Sequence, residues 1–129
     1  MTKKSELYQL RKKEKRDSRI KETRNLILSK SLSSIMNNHK WYRIFELIEQ
    51  HRSEFEIKTL VSSEYKNADH IFELEKSSIL FDNSGDFIEF LEIEQLSLKN
   101  TSELISELES LNVEFFKQTG FIKINGYRK

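Results

Sequence analysis

The stretch Glu54-Phe55-Glu56-Ile57-Lys58-Thr59-Leu60-Val61 decides the fold class, because the apolar period changes there from helical to alternating. Its apolar side chains at first take every second position, which predicts a strand with one buried face. The residues before it repeat at helical spacing instead, with Trp41, Ile44 and Phe45 on one face. The sequence therefore predicts a helix over about residues 39–52 that leads directly into a strand.

Short apolar segments continue downstream and predict further strands. The polar segment Ser62 to Asp69 predicts a loop before them. Turn residues 82–86 (Asp-Asn-Ser-Gly-Asp) and the pair Thr119-Gly120 predict two antiparallel hairpins. The predicted strands are residues 71–75, 78–81, 87–93, 113–116 and 121–124.

Two more helices complete the pattern. Residues 3 to about 30 hold no Gly or Pro and are rich in helix formers, which predicts a basic N-terminal helix. The order Asn100-Thr101-Ser102-Glu103 is typical of a capping box, with Leu104 and Leu108 at helical spacing behind it. The prediction is an α+β fold: a basic N-terminal helix, a second helix, a mainly antiparallel sheet of about five strands, and one further helix packed on the sheet.

Charge divides the chain into two parts. Residues 1–30 hold eleven Lys/Arg and four Asp/Glu, a net charge of +7, whereas residues 31–129 hold eleven and seventeen, a net charge of −6. We therefore predict a basic helical arm over residues 1–30 and a single α+β domain over residues 31–129. The two parts are expected to attract each other or different partners.

Composition excludes several classes of site. Without cysteine the chain cannot form a disulfide, a thiolate metal site or a cysteine nucleophile. The three glycines form no phosphate-binding loop, so no nucleotide or other cofactor is expected. No apolar run approaches the length of a membrane span, and the expected location is the cytoplasm. We expect a protein that is not an enzyme.

The three histidines are the residues most suited to acid–base or metal chemistry, but their spacing is unfavourable. His39 and His51 lie more than three turns apart on one predicted helix, and His70 lies at a predicted strand start. Ordinary surface or capping histidines are therefore expected, with a shared site as the less favoured alternative.

Carboxylates offer a candidate protein-interaction surface. Glu73, Glu75, Glu92 and Glu94 occupy positions at which alternation along half-buried strands predicts exposure to water. A solvated face is the simpler interpretation, and an acidic binding surface is the alternative.

The basic arm offers a candidate nucleic-acid contact. Such a run can neutralise phosphates with little sequence preference, but no aromatic residues are interleaved for base stacking. A solvated helix that lies on an acidic body is therefore favoured over nucleic-acid binding. The candidate phosphate contacts are Arg11, Lys12, Lys13, Lys15, Arg16 and Arg19.

Two segments carry a resemblance to a family. Met36-Asn37-Asn38-His39-Lys40-Trp41 resembles the Met-Asn-Asn-x-Lys-Trp opening of an uncharacterised family of small bacterial α+β proteins. The segment from Gly120 to Tyr127 is similar to that family's closing Gly-aromatic-x-Ile-x-Gly-Tyr strand. The resemblance covers residues 36–127 and leaves the basic arm outside. It implies a bacterial α+β domain and no known activity.

The leading functional hypothesis is a non-enzymatic protein–protein interaction module, of the general type of immunity or antitoxin-like proteins. Its expected partner is another protein. The alternative is a nucleic-acid-associated protein that binds phosphates through the N-terminal helix. No membrane partner is expected, since the arm lacks a broad apolar face.

Overall fold

The computed structural model describes residues 3–62, 64–70, 79–82 and 87–128, with the backbone alone at residues 3–9, 12, 69, 70, 79, 81 and 82. The helices are α1 (Lys3–Ser29), α2 (Asn38–His51) and α3 (Ser102–Ser110). The strands are β1 (Ser33–Ser34), β2 (Phe55–Thr59), β3 (Lys66–His70), β4 (Ile79–Asp82), β5 (Phe87–Glu89), β6 (Ile93–Lys99), β7 (Phe116–Gln118), β8 (Phe121–Asn125) and β9 (Tyr127–Arg128). A 3-10 turn, Phe90–Glu92, separates β5 from β6.

The sheet is antiparallel, as the sequence predicted. Its seven strands lie in the order β5-β4-β3-β2-β6-β8-β7. The short strands β1 and β9 pair with each other. The predicted α+β class is therefore confirmed.

Polar side chains cap the first turns of α2 and α3. The Asn37 side chain accepts a hydrogen bond from the Lys40 N–H at 2.8 Å, which caps α2. The Thr101 hydroxyl accepts one from the Leu104 N–H at 3.3 Å and caps α3. Both caps satisfy backbone donors that the first helical turn leaves unpaired.

The core lies between one face of the sheet and the two helices α2 and α3. Phe45 is at its centre, with its ring centroid 5.3 Å from that of Phe55 and 5.4 Å from that of Phe90. Trp41 stacks on Phe45 at 6.1 Å and is buried, which agrees with its place on the apolar face of the predicted helix. The other large contributors are Ile44, Ile48, Ile57, Leu96, Leu98, Leu104, Leu108, Ile122 and Ile124.

Two details of the predicted sheet are wrong. The segment Ser62 to Asp69 is not entirely a loop, because β3 begins at Lys66 and pairs with β2 and β4. Its polar residues have low strand propensity, and pairing on both sides overrides that preference. Residues 87–93 are not one strand, because Glu89 and Glu92 form a capping box that closes the intervening 3-10 turn.

The second predicted hairpin forms around the predicted turn, but its first strand is Phe116–Gln118 and not the predicted residues 113–116. Strands β7 and β8 pair with Gln118 opposite Phe121, and Thr119 and Gly120 form the two-residue turn with φ of 50° and 81°. Positive φ at both turn positions matches the right-handed twist of the flanking strands. The predicted strand over residues 71–75 and the predicted turn residues 83–86 lie outside the described residues.

Candidate functional site

The sheet has a second face, opposite the core, which we call the open face. Because side chains alternate along a strand, Ile57, Leu96 and Ile124 point into the core and their neighbours point to the open face. The register aligns Glu56, Ser97, Lys123 and Phe116 in one row across four strands. The adjacent row holds Lys58, Gln95 and Asn125.

Lys123 is at the centre of a polar cluster on the open face. Its Nζ donates to the Ser97 Oγ at 2.9 Å and to the Tyr65 Oη at 3.3 Å. The same Nζ lies 4.4 Å from the centroid of the Tyr65 ring and 5.5 Å from that of the Phe121 ring. Two hydroxyl groups and two aromatic rings therefore hold the ammonium group at a fixed position.

Tyr65 connects this cluster to the next row of the sheet. Its hydroxyl group donates to the Gln95 side-chain oxygen, and the Gln95 amide donates to the Asn125 oxygen at 2.8 Å. Each polar group of this hydrogen-bond network thus has a partner that orients it. The Lys123 ammonium is built into this network, which limits its conformational freedom.

Two large apolar side chains border Lys123 on the open face. Phe116 lies directly opposite Lys123, and Phe121 lies two residues away on the same strand. They are 42% and 43% exposed, respectively. Such diagonal neighbours are close enough for aromatic side chains to form one patch. The outer hairpin of the sheet therefore presents an aromatic patch beside a fixed cation.

The open face carries a balanced charge. Lys58, Lys99 and Lys123 are its cations, and Glu56, Glu89 and Glu94 are its carboxylates or lie at its rim. The Lys58 Nζ lies 3.6 Å from a Glu94 oxygen. Among the described residues of this face, neither sign of charge is in strong excess.

The basic helix α1 docks on the other end of the sheet. The Arg16 guanidinium lies 3.3 Å from a Glu89 oxygen and within 6.0 Å of the Phe87 ring centroid. Arg19 binds the Glu92 carboxylate with two nitrogens and also donates to the Phe87 carbonyl oxygen. These contacts join residues of opposite charge from the arm and the body.

Glu92 is the largest departure from the expected acidic surface. Alternation predicted exposure of this side chain, but it is 0% exposed, so that prediction is wrong. The 3-10 turn ends the alternation before Glu92, and the carboxylate accepts from the Glu89 N–H at 2.8 Å as well as from Arg19. Glu94 is on the surface and pairs with Lys58, whereas Glu73 and Glu75 lie outside the described residues.

The candidate phosphate contacts of the arm have different surroundings. Arg11, Lys13 and Lys15 are exposed on α1, while Arg16 and Arg19 are partly buried against the body. The Lys12 side chain lies outside the described part. Three of the six candidate residues therefore have described side chains that are exposed to solvent.

The histidines are not brought together by the described fold. His51, at the end of α2, lies with Nε2 2.6 Å from a Glu107 oxygen and Nδ1 3.5 Å from a Glu103 oxygen. His39 is exposed near the start of the same helix, and the His70 side chain is not described. Within the described residues no three His, Cys, Asp or Glu side chains form a group that could hold a metal ion.

Tyr127 provides a pH-dependent contact between the last strand and the 3-10 turn. Its hydroxyl donates to the Leu91 carbonyl oxygen at 2.5 Å, and burial raises the pKa of the phenol above its ordinary value of 10.0. A raised pKa means that this contribution to stability is complete below about pH 10 and is lost as the pH rises through the folded-state pKa.

We expect Tyr127→Phe to lose less stability than the wild type as the pH rises from about 8 to about 11. Wild type and variant should differ in urea midpoint at about pH 8, and the difference should shrink towards about pH 11 as the phenol ionises. Lysine titration is common to both proteins, so the difference between them isolates Tyr127. A difference that stays constant over this range would contradict the assigned contact.

Comparison with known families identifies the family of this chain. The model of a family of unknown function, DUF6678, matches residues 23–129. The chain belongs to this family. The match includes α2, the whole sheet and α3, and it begins inside α1 after Arg16 and Arg19. The sequence-based resemblance to an uncharacterised family is thereby confirmed. Comparisons with curated proteins and with solved structures find no match.

The match to this family leaves the first 22 residues of the chain outside it. Those residues hold both arginines that dock α1, so the docking contacts join the added segment to the family domain. None of the described helices is long and apolar enough to cross a membrane.

Sequence reasoning missed the residues of the open face. Lys123 and Tyr65 are 58 positions apart, and the Gly120 to Tyr127 segment that holds Lys123 gives no indication of Tyr65, so only the fold brings them together. Alternation in residues 121–124 could have indicated that Phe121 and Lys123 share a face. It could not have indicated that the hydroxyls of Tyr65 and Ser97 converge on the same ammonium.

Proposed function

We propose that this chain is a non-enzymatic protein-binding module whose partner sits on the open face of the sheet, around Phe116, Phe121 and Lys123. The observation that carries the proposal is the pair of exposed phenylalanines beside a cation that the fold holds in place. Aromatic residues flanked by polar groups are typical of the energetically dominant part of protein interfaces.

The charge of the open face favours a protein over a nucleic acid as its ligand. Nucleic-acid surfaces need a clear excess of Lys and Arg, because phosphate neutralisation supplies much of the affinity. The described residues of the open face include three lysines and three glutamates, and Lys58 and Glu94 already form an ion pair. A mixed surface with amide groups such as Gln95 and Asn125 suits the varied chemistry of another protein.

Rigidity supports the same proposal. The tight turn at Thr119 and Gly120 and the register of β7 against β8 hold both phenylalanines on one hairpin. A side chain that is already positioned loses less conformational entropy on binding. A partner would therefore gain apolar contact with Phe116 and Phe121 at a small ordering cost.

The test is affinity capture from a lysate of the native host with full-length protein and a Phe116→Ser/Phe121→Ser variant. We expect a near-stoichiometric protein to be retained by the wild type and lost by the double variant, with affinity reduced at least tenfold when remeasured with the purified partner. The matched control is Leu28→Ser on α1, which removes a side chain that is 77% exposed. A partner retained equally by both variants would contradict the proposed face.

A nucleic-acid-binding role for α1 is the second candidate, because Arg11, Lys13 and Lys15 remain exposed on the helix. In that case the Arg11→Ala/Lys13→Ala/Lys15→Ala variant of the full chain should lose retained nucleic acid. Binding should also weaken as the salt concentration rises. In the variant, the slope of log K against log[salt] should be shallower by the equivalent of up to about three phosphate contacts. Retention of nucleic acid by the triple variant would remove this candidate.

A further inference from the structure

We propose that Lys123 and Ser97 form the anchoring site for one carboxylate group of the partner protein. This inference rests on the proposed protein-binding function and names the chemistry that the open face recognises. Within the described part of the chain, the carboxylates that form ion pairs do so with other cations, and none lies within pairing distance of Lys123. Its ammonium is therefore a fixed charge without a described counter-ion.

The hydrogen bonds leave two donors for an incoming anion. An ammonium group has three N–H donors, and two of them are directed at Ser97 and Tyr65. The Tyr65 hydroxyl proton is directed at Gln95, so it is already used. Ser97 accepts from Lys123, and no described acceptor takes its own hydroxyl proton. Ser97 is only 7% exposed, so a carboxylate would reach its O–H beside the Lys123 ammonium, where one Nζ–H and this O–H can bind the two carboxylate oxygens.

The aromatic walls strengthen this site. The centroids of the Tyr65 and Phe121 rings lie 4.4 and 5.5 Å from the Nζ, so aromatic ring takes the place of part of the water around it. An ion pair formed in such surroundings is stronger than one formed in bulk water. An apolar group next to the carboxylate would contact Phe116 and Phe121, so the recognised element is an Asp or Glu beside an apolar residue.

The site can be tested without knowing the partner. Isotope-labelled full-length protein is titrated by NMR with three blocked dipeptides: acetyl-Glu-Phe-amide, acetyl-Gln-Phe-amide and acetyl-phosphoserine-Phe-amide. We expect the Glu peptide to shift the Lys123 side-chain and Ser97 signals and to bind about fivefold more tightly than the Gln peptide. A phosphoserine peptide that binds tenfold more tightly than the Glu peptide would overturn the assignment of a carboxylate.

Variants separate this inference from the proposed function. Lys123→Met should abolish the preference for Glu over Gln, and Ser97→Ala should reduce it by about half. The control Lys117→Met removes an exposed lysine of β7 that lies opposite Ile122, on the other face of the hairpin, and should leave the preference unchanged.

Two further outcomes are decisive. Equal binding of the Glu and Gln peptides, with shifts at Phe116 and Phe121, would overturn the carboxylate site and leave the proposed binding face standing. Failure of all three peptides to shift any open-face signal would overturn the site as well. In that case partner capture with the Phe116→Ser/Phe121→Ser variant still decides the proposed function independently.

Discussion

Replacing Gly126 by alanine is expected to lower the free energy of unfolding by about 3 kcal/mol. A Cβ at this position would overlap the Ile93 carbonyl oxygen and come within 3.3 Å of the Trp41 Cζ2. The backbone cannot move away freely, because the Gly126 N–H donates to the Glu94 carbonyl oxygen at 2.9 Å and its own carbonyl accepts from the Ile35 N–H at 3.1 Å. Urea denaturation followed by the fluorescence of Trp41, the chain's single tryptophan, measures the loss.

Gly120→Ala is the matched control, because it tests the cost of a positive φ without a steric clash of the added Cβ. A Cβ there meets no atom within 4 Å, but the residue has a φ of 81°. We expect it to cost about 1 kcal/mol, the usual penalty for a left-handed L-residue. Equal losses for the two alanine variants would mean that the close approach at Gly126 does not constrain the fold.

Arg19→Met is expected to lower the free energy of unfolding by about 3 kcal/mol and to release α1 from the body. The variant keeps the aliphatic stem but leaves the Glu92 carboxylate buried with only the Glu89 N–H as a described donor. An ionised group without a counter-charge in the protein interior is strongly unfavourable. Urea denaturation measures the loss, and hydrogen exchange along α1 measures the release of the helix.

The controls distinguish the buried pair from ordinary surface charge. Arg16→Met removes the neighbouring contact to Glu89, in which the two side chains are 33% and 31% exposed, and should cost less than about 1 kcal/mol. Adding Glu92→Gln to Arg19→Met should restore part of the stability, because it removes the uncompensated charge. If Arg19→Met and Arg16→Met cost the same, Glu92 is not the determinant of docking.

Both predictions concern positions where the sequence carried partial information. The resemblance placed Gly126 near the end of the closing strand, but the sequence did not identify Ile93 and Trp41 as its neighbours. The opposite charges of arm and body predicted attraction between them. They did not predict that Glu92 would be buried against a partly buried Arg19 while most other described charged side chains of α1 stay exposed.

The sequence by itself determined the elements that depend on local chemistry. Asn37 and Thr101 cap helices because their side chains reach backbone donors within three residues, and Thr119-Gly120 turns the chain because of its own φ preferences. The apolar period likewise determined which face of α2 is buried.

Only the tertiary structure decided the features that depend on distant partners. The strand β3 begins at Lys66 because β2 and β4 pair with its two sides, and Glu92 is buried because Arg19, 73 positions away, neutralises it. The Lys123 cluster belongs to the same class, since its hydroxyl partners come from two other segments of the chain. Local propensities are small compared with pairing and burial, so these contacts are set by the register of the sheet and not by the order of residues around them.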